Sequence, residues 1–386
     1  MKILFVIPSV GLTYGGTSKI ALELAQSLGK NGCELDLVTT NTNGLKNLDV
    51  LLQTWIQEPN YRIRYFPCLR ISDYKFSITL AQWLIKNIDQ YDIVHTIAVF
   101  SPLVSFTHWL CFLRKVPFVS NPQGMLEPWA LANKSIKKKI YYNFFEFLPL
   151  NGASAIHILS SSEASEIKKL DLKAKLVIVP NGIYQHEFEL QSNPKLFHKK
   201  FPHLQGKPLI LFMGRIDPKK GLDLLAPAFA QVRQQFPESH LVIAGPDNIG
   251  YLPTAQKLFQ DSGCPDAVTF TGMITGDLKY SALAAASVYV APSYSEGFSM
   301  SILEGMASGL PCVFTDACNF PEAFNVAKIV PVDRQQIANA LTWCLGNPEE
   351  AKEMGNQARE FILENYTWDK IATKMITIYR SILKSA

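Results

Sequence analysis

The chain has 386 residues, of which 48% are apolar and 18% charged, and its formal net charge is +4 at pH 7. This length suits two domains of roughly 180 residues, and the apolar content excludes a disordered chain. The mild charge does not favour nucleic acid as a partner. The seven cysteines are odd in number and include no Cys-x-x-Cys spacing, which argues against a disulfide framework or a zinc site and favours the reducing cytosol.

Two apolar segments bear on a membrane location. Residues 2–8 form an apolar run that is too short for a signal peptide and predicts a buried first strand, so secretion is not expected. Residues 97–113 contain no Lys, Arg, Asp or Glu, but the run includes Pro102 and His108 and is slightly short for a spanning helix. We therefore predict a buried helix there.

Short apolar, β-branched runs alternate with helix-length segments along the chain. This alternation is typical of parallel sheets covered by helices on both faces. It predicts the α/β class, with two Rossmann-like, doubly wound parallel-sheet domains. The predicted strands are 2–8, 34–40, 61–67, 92–97, 116–120, 155–159 and 176–180 in the first half, and 208–213, 240–245, 267–271, 288–292, 311–315 and 327–332 in the second.

The alternation breaks once, between Gln185 and Lys207. This segment is polar, contains two prolines and follows an Asn-Gly turn, which is typical of interdomain linkers. We place an N-terminal domain at 1–185, a linker at 186–207 and a C-terminal domain at 208–367. Ligands of doubly wound domains bind at the carboxyl ends of the strands, so we expect the two sheets to face a central ligand cleft.

The segment 295–311 carries two glutamates eight residues apart. Glu296 precedes a predicted helix and Glu304 is expected about two turns into it, with Gly309 and Pro311 as stop signals. The two carboxylates would lie roughly 10–12 Å apart along the axis. That is too far for an acid/base pair acting on one atom, and it suits the two ends of one long ligand.

The backbone between the glutamates predicts an anion site. The N–H groups of Phe298, Ser299 and Met300 would open the helix, and helix N-termini attract phosphate. Gly297 would let a ligand approach closely. Two glutamates at this spacing are also common on solvated helix faces, so the interpretation needs support from elsewhere in the chain.

Support comes from residues 212–223, where a predicted strand is followed by Gly214-Arg215 and then by Lys220-Gly221 at a helix start. Here the chain resembles the retaining glycosyltransferases of family 4 (group 1), which have the GT-B architecture. The resemblance covers nearly the whole chain. It rests on ordered motifs, which are Tyr14-Gly15-Gly16-Thr17, Val179-Pro180-Asn181-Gly182-Ile183, Gly214-Arg215 with Lys220-Gly221, Ala244-Gly245-Pro246 and the Glu296/Glu304 segment.

The resemblance implies roles for the residues of the second half. Arg215 and Lys220 would contact the diphosphate of a nucleotide sugar and stabilise the charge that develops as the glycosidic bond breaks. Glu304 would bind the ribose hydroxyls, and Glu296 would bind hydroxyls of the transferred sugar. The loop at Met273 would bind the base through backbone groups.

For the first half, Gly15 and Gly16 are expected to offer backbone N–H groups to the phosphates. Gln123 stands where the family commonly has a histidine that faces the donor sugar. Glutamine cannot be protonated near neutral pH, but it can donate a hydrogen bond to a sugar hydroxyl. His95 ends a neighbouring predicted strand and is a further candidate, although such histidines are as often structural. The family also implies that the last helix, 368–386, returns to the first domain.

A basic and aromatic stretch follows Gln123. It suits the surface of an anionic membrane or a lipid-linked acceptor, and equally an ordinary amphipathic helix with a solvated basic face. Its residues are Lys134, Lys137, Lys138, Lys139, Tyr141, Tyr142, Phe144, Phe145 and Phe147. His108 and His157 are expected to be core or helix residues.

The sequence contains no Asp-x-Asp, Gly-x-Ser-x-Gly or Walker motif, which disfavours a diphosphate-bound metal, a hydrolase and an NTPase. We predict a cytoplasmic, metal-independent, retaining hexosyltransferase without a cofactor. It would use UDP-glucose or a related UDP-hexose and a saccharide or lipid-linked acceptor, in peripheral contact with the inner face of the membrane. Two alternatives stay open: a nucleotide-sugar epimerase of the same fold, and a non-catalytic subunit of a polysaccharide assembly complex, which only Gln123 supports.

Overall fold

The computed structural model describes residues 1–11, 13, 15–71, 74–128, 131, 135–189 and 193–385. Two residues of the sequence motifs, Tyr14 and Lys134, lie outside this described part. The chain forms two compact units, Met1–Gly182 with Trp368–Ala386, and Ile183–Thr367. Each unit is built on a largely parallel sheet, so the predicted α/β, doubly wound class is confirmed.

The first unit holds an eight-stranded sheet and two short antiparallel pairs among its described residues. Its strands are β1 (Lys2–Ser9), β2 (Glu34–Thr40), β3 (Thr42–Asn43), β4 (Lys46–Asn47), β5 (Trp55–Gln57), β6 (Arg62–Phe66), β7 (Leu69–Ile71), β8 (Tyr74–Phe76), β9 (Ile93–Ile97), β10 (Phe118–Asn121), β11 (Ala155–Ile158) and β12 (Leu176–Ile178). The sheet order is β12-β11-β10-β9-β1-β2-β6-β5, and β5 alone runs antiparallel to its neighbour. The sequence pattern predicted every parallel strand of this sheet.

Helices of the first unit connect these strands. They are α1 (Gly16–Lys30), α2 (Ile78–Asn87), α3 (Pro102–Arg114), α4 (Ser135–Tyr141), α5 (Phe147–Asn151) and α6 (Ser161–Lys168), with a π-helical turn at Tyr142–Glu146 between α4 and α5. The helix predicted within 97–113 corresponds to α3. Across the described residues, we find no helix that combines the length and the apolar character needed to cross a membrane.

The second unit is a six-stranded parallel sheet with helices on both faces. Its strands are β13 (Leu209–Met213), β14 (His240–Ala244), β15 (Val268–Gly272), β16 (Val288–Ala291), β17 (Cys312–Thr315) and β18 (Lys328–Val330), in the order β15-β14-β13-β16-β17-β18. Its helices are α7 (His186–Glu189), α8 (Lys195–Lys200), α9 (Leu222–Gln235), α10 (Leu252–Asp261), α11 (Gly276–Ala285), α12 (Met300–Ala307), α13 (Arg334–Gly346) and α14 (Pro348–Asn365).

Each sheet has a point where the strand order reverses direction. In the second unit the chain proceeds outward from β13 to β14 and β15, then returns to β16 beside β13 and proceeds the other way. In the first unit the same reversal separates β1 from β9. The loops that leave neighbouring strands in opposite directions open a crevice there, which is where such sheets bind ligands.

The segment 186–207, which the sequence pattern predicts to be a linker, lies instead within the second unit. In its described part, Phe188, Phe197 and Leu204 are buried in the core of that unit. The backbone N–H of Phe197 also donates to Ser281 Oγ at 2.9 Å. The polar composition of the segment does not indicate that these three apolar residues are buried. Their burial depends on a sheet formed by distant residues, which the local pattern does not show.

The chain passes between the units at Gly182–Ile183 and again at Thr367–Trp368. The last helix, α15 (Trp368–Ser385), belongs to the first unit and packs against α1. Trp368 is buried, and its carbonyl accepts the Ser27 hydroxyl at 2.9 Å. A Cβ added at Gly182 would lie 2.8 Å from the Trp368 ring, so the glycine of the Asn-Gly motif is needed for this close packing.

Two buried histidines form part of the core beneath α15. His95 Nδ1 contacts the Tyr379 hydroxyl, and His95 Nε2 lies 3.4 Å from His157 Nδ1. Burial, together with the neighbouring His157, holds the pKa of His95 well below its usual range. Burial also lowers the pKa of His157, to about 4, and the charge of Lys374 adds to this effect. The hydrogen bond to the Val179 carbonyl opposes it.

We expect the stability of the protein to fall on mild acidification. An unfolded histidine takes up a proton below about pH 6.5, whereas His157 in the folded state resists protonation down to about pH 4. The unfolded state therefore binds more protons in this window, and His157 alone should lower the free energy of unfolding by about 2 kcal/mol between pH 7 and pH 5. Denaturant titrations at the two pH values measure this difference.

A His157→Asn variant should show a smaller loss over the same pH range. A His186→Asn variant, which changes an exposed histidine of the second unit, serves as the control and should keep the wild-type dependence. An equal pH dependence in the wild type and the His157→Asn variant would contradict this prediction.

Candidate functional site

The loops that leave β13 and β16 carry most of the residues that the sequence marks for ligand binding. After β13, Arg215 is exposed, and a 3₁₀ turn at Pro218–Lys220 leads into α9. Asp217 caps this turn by accepting the backbone N–H of Lys219 at 2.9 Å. Both loops start at the carboxyl edge of the sheet, at its point of reversal.

The two loops are held against each other by backbone contacts. The Tyr294 N–H donates to the Lys219 carbonyl at 2.8 Å. Gly221 has φ 70°, and a Cβ added there would lie 1.9 Å from the Pro292 carbonyl oxygen. The glycine of the Lys220-Gly221 motif is therefore required both for its left-handed backbone and for the close approach of the β16 loop.

This approach brings Lys220 and Glu296 into an ion pair. Lys220 Nζ donates to Glu296 Oε1, and both side chains are largely buried. The Ser293 hydroxyl donates to the same carboxylate oxygen at 2.7 Å. The backbone of Glu296 is fixed as well, because its N–H donates to the Ala317 carbonyl and its carbonyl accepts Asn319 Nδ2.

The charge state of Glu296 follows from these contacts. Burial alone would raise the pKa of its carboxyl, but the Lys220 ammonium, the hydrogen bonds from Lys220 and Ser293, and the charge of Lys219 together hold that pKa below its usual value. Glu296 is therefore an ionised hydrogen-bond acceptor near neutral pH and has no proton to donate.

The helix that follows Glu296 begins later than predicted. Helix α12 starts at Met300 with Ser299 as its N-cap, so Glu304 lies about one turn into the helix instead of two. The predicted separation of the two glutamates assumed a helical rise between them, and residues 296–299 are not helical. Of the three predicted N–H groups, only that of Met300 belongs to the helix.

The predicted role of Phe298 concerns its backbone N–H, and its side chain packs within the second unit. Its ring packs against Phe320 and Tyr366. Gly297 and Ser299 flank it in the extended connection to α12. Ser299 Oγ lies 3.2 Å from Ser301 Oγ, and no side-chain hydrogen bond caps the helix. The first N–H groups of α12 thus lack an intrahelical acceptor, as helix N-termini do.

Glu304 forms a second ion pair that the sequence motifs do not mark. Lys279 Nζ of α11 lies 2.8 Å from Glu304 Oε1. Next to Glu304, Gly305 lets α12 pack closely on β16, because an added Cβ would lie 2.8 Å from the Tyr289 ring. Lys279 belongs to no sequence motif and meets Glu304 only through the packing of two helices, so the sequence alone does not mark it.

The Ala244-Gly245-Pro246 motif contacts the backbone of the loop that carries Arg215. The N–H of Gly214 donates to the Ala244 carbonyl, and the N–H of Gly245 donates to the Gly272 carbonyl, both at 2.9 Å. A Cβ added at Gly245 would lie 1.7 Å from the Gly214 carbonyl oxygen. Met273, which follows Gly272, is 63% exposed, so this loop presents its residues to solvent.

In the first unit, Gly15 and Gly16 lie at the N-terminus of α1. Gly15 has φ 64° and caps the helix without a side-chain hydrogen bond. A Cβ added at either glycine would meet no atom of the described residues within 4 Å. The first N–H groups of α1 lack an intrahelical acceptor, as at any helix N-terminus, and are candidates for binding an anion.

The two polar candidates of the first unit, Gln123 and His95, have different environments in the structure. Gln123 follows β10 with φ 53°, and its Nε2 is buried without a hydrogen-bond partner among the described residues. Its amide therefore remains a candidate for ligand contact. His95 is completely buried, so the prediction that it binds a substrate is wrong.

The packing around His95 keeps it from contacting a ligand. Its ring is enclosed by Phe5, His157 and Tyr379. His108 is also buried, bonded to Thr96 and Glu146, and His157 lies in the same core as His95. In the described part of the chain, no group of three His, Cys, Asp or Glu side chains is placed to hold a metal ion.

Two family models match the chain. The model described as Glycosyltransferase Family 4 matches residues 14–185, and the model described as Glycosyl transferases group 1 matches residues 194–361. Together they cover most of both structural units.

Among curated proteins, the chain is similar to a GDP-mannose-dependent alpha-(1-6)-phosphatidylinositol monomannoside mannosyltransferase of Mycobacterium tuberculosis. The two are 29% identical over 218 residues, which are 54% of this chain and 56% of the relative. This chain therefore spans little more than half the length of that relative.

Solved structures share the fold over the whole chain. Sucrose-phosphate synthase from Thermosynechococcus elongatus has a TM-score of 0.79 at 21% identity, with 100% of both chains covered. The Anabaena protein HepE in complex with UDP and glucose has a TM-score of 0.76 at 17% identity, covering 99% of this chain and 100% of that one. These likenesses show the fold.

We expect Gly221→Ala to destabilise the second unit more than its backbone conformation alone would. The left-handed backbone should cost a residue with a Cβ about 1–2 kcal/mol, and the collision with the Pro292 carbonyl adds to this. Gly250→Ala is the matched control, because Gly250 has φ 75° but an added Cβ there would meet no atom of the described chain within 4 Å. Thermal unfolding of both variants measures the difference, and equal losses would show that the β13 and β16 loops do not need their close contact.

Proposed function

This chain belongs to the family 4, group 1 glycosyltransferases of GT-B architecture, and on that premise we propose that it is a retaining, metal-independent hexosyltransferase. It would move a hexose from a nucleotide sugar to a saccharide or lipid-linked saccharide, in the assembly of a polysaccharide or glycolipid. The observation that carries this proposal is the Lys220–Glu296 ion pair at the reversal point of the second sheet.

The contacts of Lys220 suit a donor diphosphate. An ammonium group has three N–H donors, so Lys220 can keep its bond to Glu296 and still donate to a phosphate oxygen. Arg215 is exposed on the same loop, and the first N–H groups of α12 add a partial positive charge. These groups would stabilise the diphosphate as it leaves, more than they stabilise the intact donor.

Glu296 would act on the sugar without becoming covalently bound to it. Its carboxylate is ionised and already accepts hydrogen bonds from Lys220 and Ser293, which makes it a poor nucleophile and a good acceptor for sugar hydroxyls. The proposed mechanism is a same-face displacement in which the departing phosphate oxygen takes the proton of the incoming hydroxyl. Glu304 would hold the ribose, Met273 would lie beside the base, and Gly15, Gly16 and Gln123 would complete the donor contacts.

For the donor we propose UDP-glucose or a related UDP-hexose. HepE was solved in complex with UDP and glucose, whereas the mycobacterial relative is named as GDP-mannose-dependent. GDP-mannose is therefore the competing donor that a test must include.

We expect UDP and UDP-glucose to bind the wild-type protein, with binding retained in excess EDTA, because Arg215 and Lys220 would supply the positive charge. Lys220→Ala should weaken UDP binding about tenfold to 100-fold, the scale of a hydrogen bond to a charged group. Calorimetric titration with UDP, UDP-glucose, GDP and GDP-mannose, each with and without EDTA, measures these effects. Lys219→Ala, the neighbouring lysine, is the matched control and should lose much less.

Different results reject different parts of the proposal. Binding of GDP-mannose but not of UDP-glucose would identify GDP-mannose as the donor. Binding that needs Mg²⁺ or Mn²⁺ would refute metal independence. Near-normal UDP affinity in Lys220→Ala would reject the assignment of the diphosphate site.

We also propose that the first unit makes peripheral contact with an anionic membrane at the inner face, through a surface that we call the apolar stripe. It consists of Ile136, Ile140, Phe144 and Leu148, which are spaced four residues apart and are each 51% to 76% exposed. The opposite side of this segment is buried through Glu146 and Leu150. Exposed apolar side chains in one row can enter the boundary of a bilayer.

The charges around the apolar stripe favour anionic lipid. Lys137 and Lys139 are exposed beside it, and Lys138 lies 5.6 Å from the centre of the Phe100 ring. The only acidic residue within 135–151 is Glu146, which is buried. Lysines near the surface of an anionic membrane each add to binding.

We expect Phe144→Ser to weaken binding to vesicles that contain phosphatidylglycerol by about tenfold, since one large apolar side chain no longer leaves water. Leu51→Ser is the control, because Leu51 is an equally exposed apolar residue of the same unit outside the apolar stripe. Co-sedimentation with vesicles measures both. Equal binding by the two variants, or equal binding to neutral and anionic vesicles, would reject this surface.

A further inference from the structure

Lys279 is the basic partner of Glu304, yet it lies outside every sequence motif. It is on α11, and its Nζ lies 2.8 Å from Glu304 Oε1. The two side chains are 14% and 11% exposed, so the pair is largely removed from water. A pair of this kind has a defined geometry, because each charge pays a desolvation cost that only a close partner offsets.

A second contact restricts the Lys279 ammonium. It lies 4.4 Å from the centre of the Tyr280 ring, at a distance where the face of an aromatic ring attracts a cation. Tyr280 is itself buried in the core of the second unit and packs edge-on against Phe188. The cation is therefore held between a carboxylate and a fixed ring, and it cannot follow the carboxylate freely.

The backbone of Glu304 is fixed independently of Lys279. Gly305 holds α12 close to the Tyr289 ring, and the Ser308 hydroxyl donates to the Glu304 carbonyl at 2.8 Å. With the backbone fixed, the side-chain torsions of Glu304 decide where its carboxylate points. Lys279 binds one oxygen of that carboxylate and so restricts those torsions.

A carboxylate that recognises ribose must present its oxygens to two neighbouring hydroxyls in one orientation. A misdirected carboxylate loses these hydrogen bonds, which are stronger than average because the acceptor is charged. We propose that Lys279 is a positioning residue that orients Glu304 toward the ribose hydroxyls and thereby sets the preference for ribonucleotides over 2′-deoxyribonucleotides. This inference rests on the proposed function, in which Glu304 binds the ribose.

The test compares the calorimetric affinities of UDP and 2′-deoxy-UDP, and of GDP and 2′-deoxy-GDP. We expect the wild type to prefer the ribonucleotide by about tenfold or more, the scale of a hydrogen bond to a charged group. Lys279→Met keeps a similar side-chain length but removes the charge, and it should reduce the preference several-fold. Lys279→Arg should restore it, and Lys257→Met, a change of an exposed lysine on α10, should leave it intact.

The ratio of the two affinities distinguishes positioning from a structural role. If Lys279 only stabilised the fold, Lys279→Met would weaken both nucleotides equally and the ratio would stay at the wild-type value, which would overturn the inference. Loss of the preference in Lys279→Met together with its recovery in Lys279→Arg would support the inference.

A Glu304→Ala variant distinguishes a failure of the role of Lys279 from a failure of the proposed function. If it loses the preference while Lys279→Met retains it, Glu304 binds ribose as proposed and the role of Lys279 is rejected. If Glu304→Ala retains the preference, or if the wild type binds no nucleoside diphosphate, the proposed function fails and the inference fails with it.

Discussion

The contact between the β13 and β16 loops is the constraint on which the candidate site depends. Gly221 allows the backbone of one loop to meet Pro292 of the other, and this contact places Lys220 beside Glu296. Without it, a lysine and a glutamate 76 residues apart would each be solvated on a separate loop. The ion pair keeps Glu296 ionised despite its burial, because the attraction of the nearby cation outweighs the cost of desolvation.

The glycines of the sequence motifs serve this packing in several ways. Gly245 allows the β13 and β14 loops to touch, and Gly305 allows α12 to lie against Tyr289. In the first unit, Gly182 makes room for Trp368. In contrast, a Cβ at Gly15 or Gly16 would contact none of the described residues. A glycine that a motif marks for ligand contact can therefore be needed for close packing of the backbone, and only the surrounding atoms distinguish the two.

Polar residues in the core of the first unit connect distant segments. Glu146, on the π-helical turn below the apolar stripe, accepts the Phe100 N–H at 3.0 Å and the Ser105 hydroxyl at 2.7 Å and also bonds His108. These bonds satisfy a fully buried carboxylate, which would otherwise be costly. They also fix the loop after β9, where Phe100 has φ 57°. These hydrogen bonds therefore hold in place the segment that carries the apolar stripe.

The sequence by itself determined the fold class and every parallel strand of both sheets, because apolar periodicity and β-branched runs are local properties of the chain. It also marked Arg215, Lys220, Glu296 and Glu304 as candidate site residues, through the spacing of their motifs and the family resemblance. It did not locate the edge strand β5 or the two short antiparallel pairs, whose few residues carry no distinct period.

Only the tertiary structure decided which of the marked residues meet and which are buried. It removed His95 from the candidate site and placed the predicted linker inside the second unit. It also brought Lys279 to Glu304. These outcomes depend on contacts between segments far apart in the chain, and the energies that decide them, desolvation and ion pairing, depend on the neighbours that folding supplies.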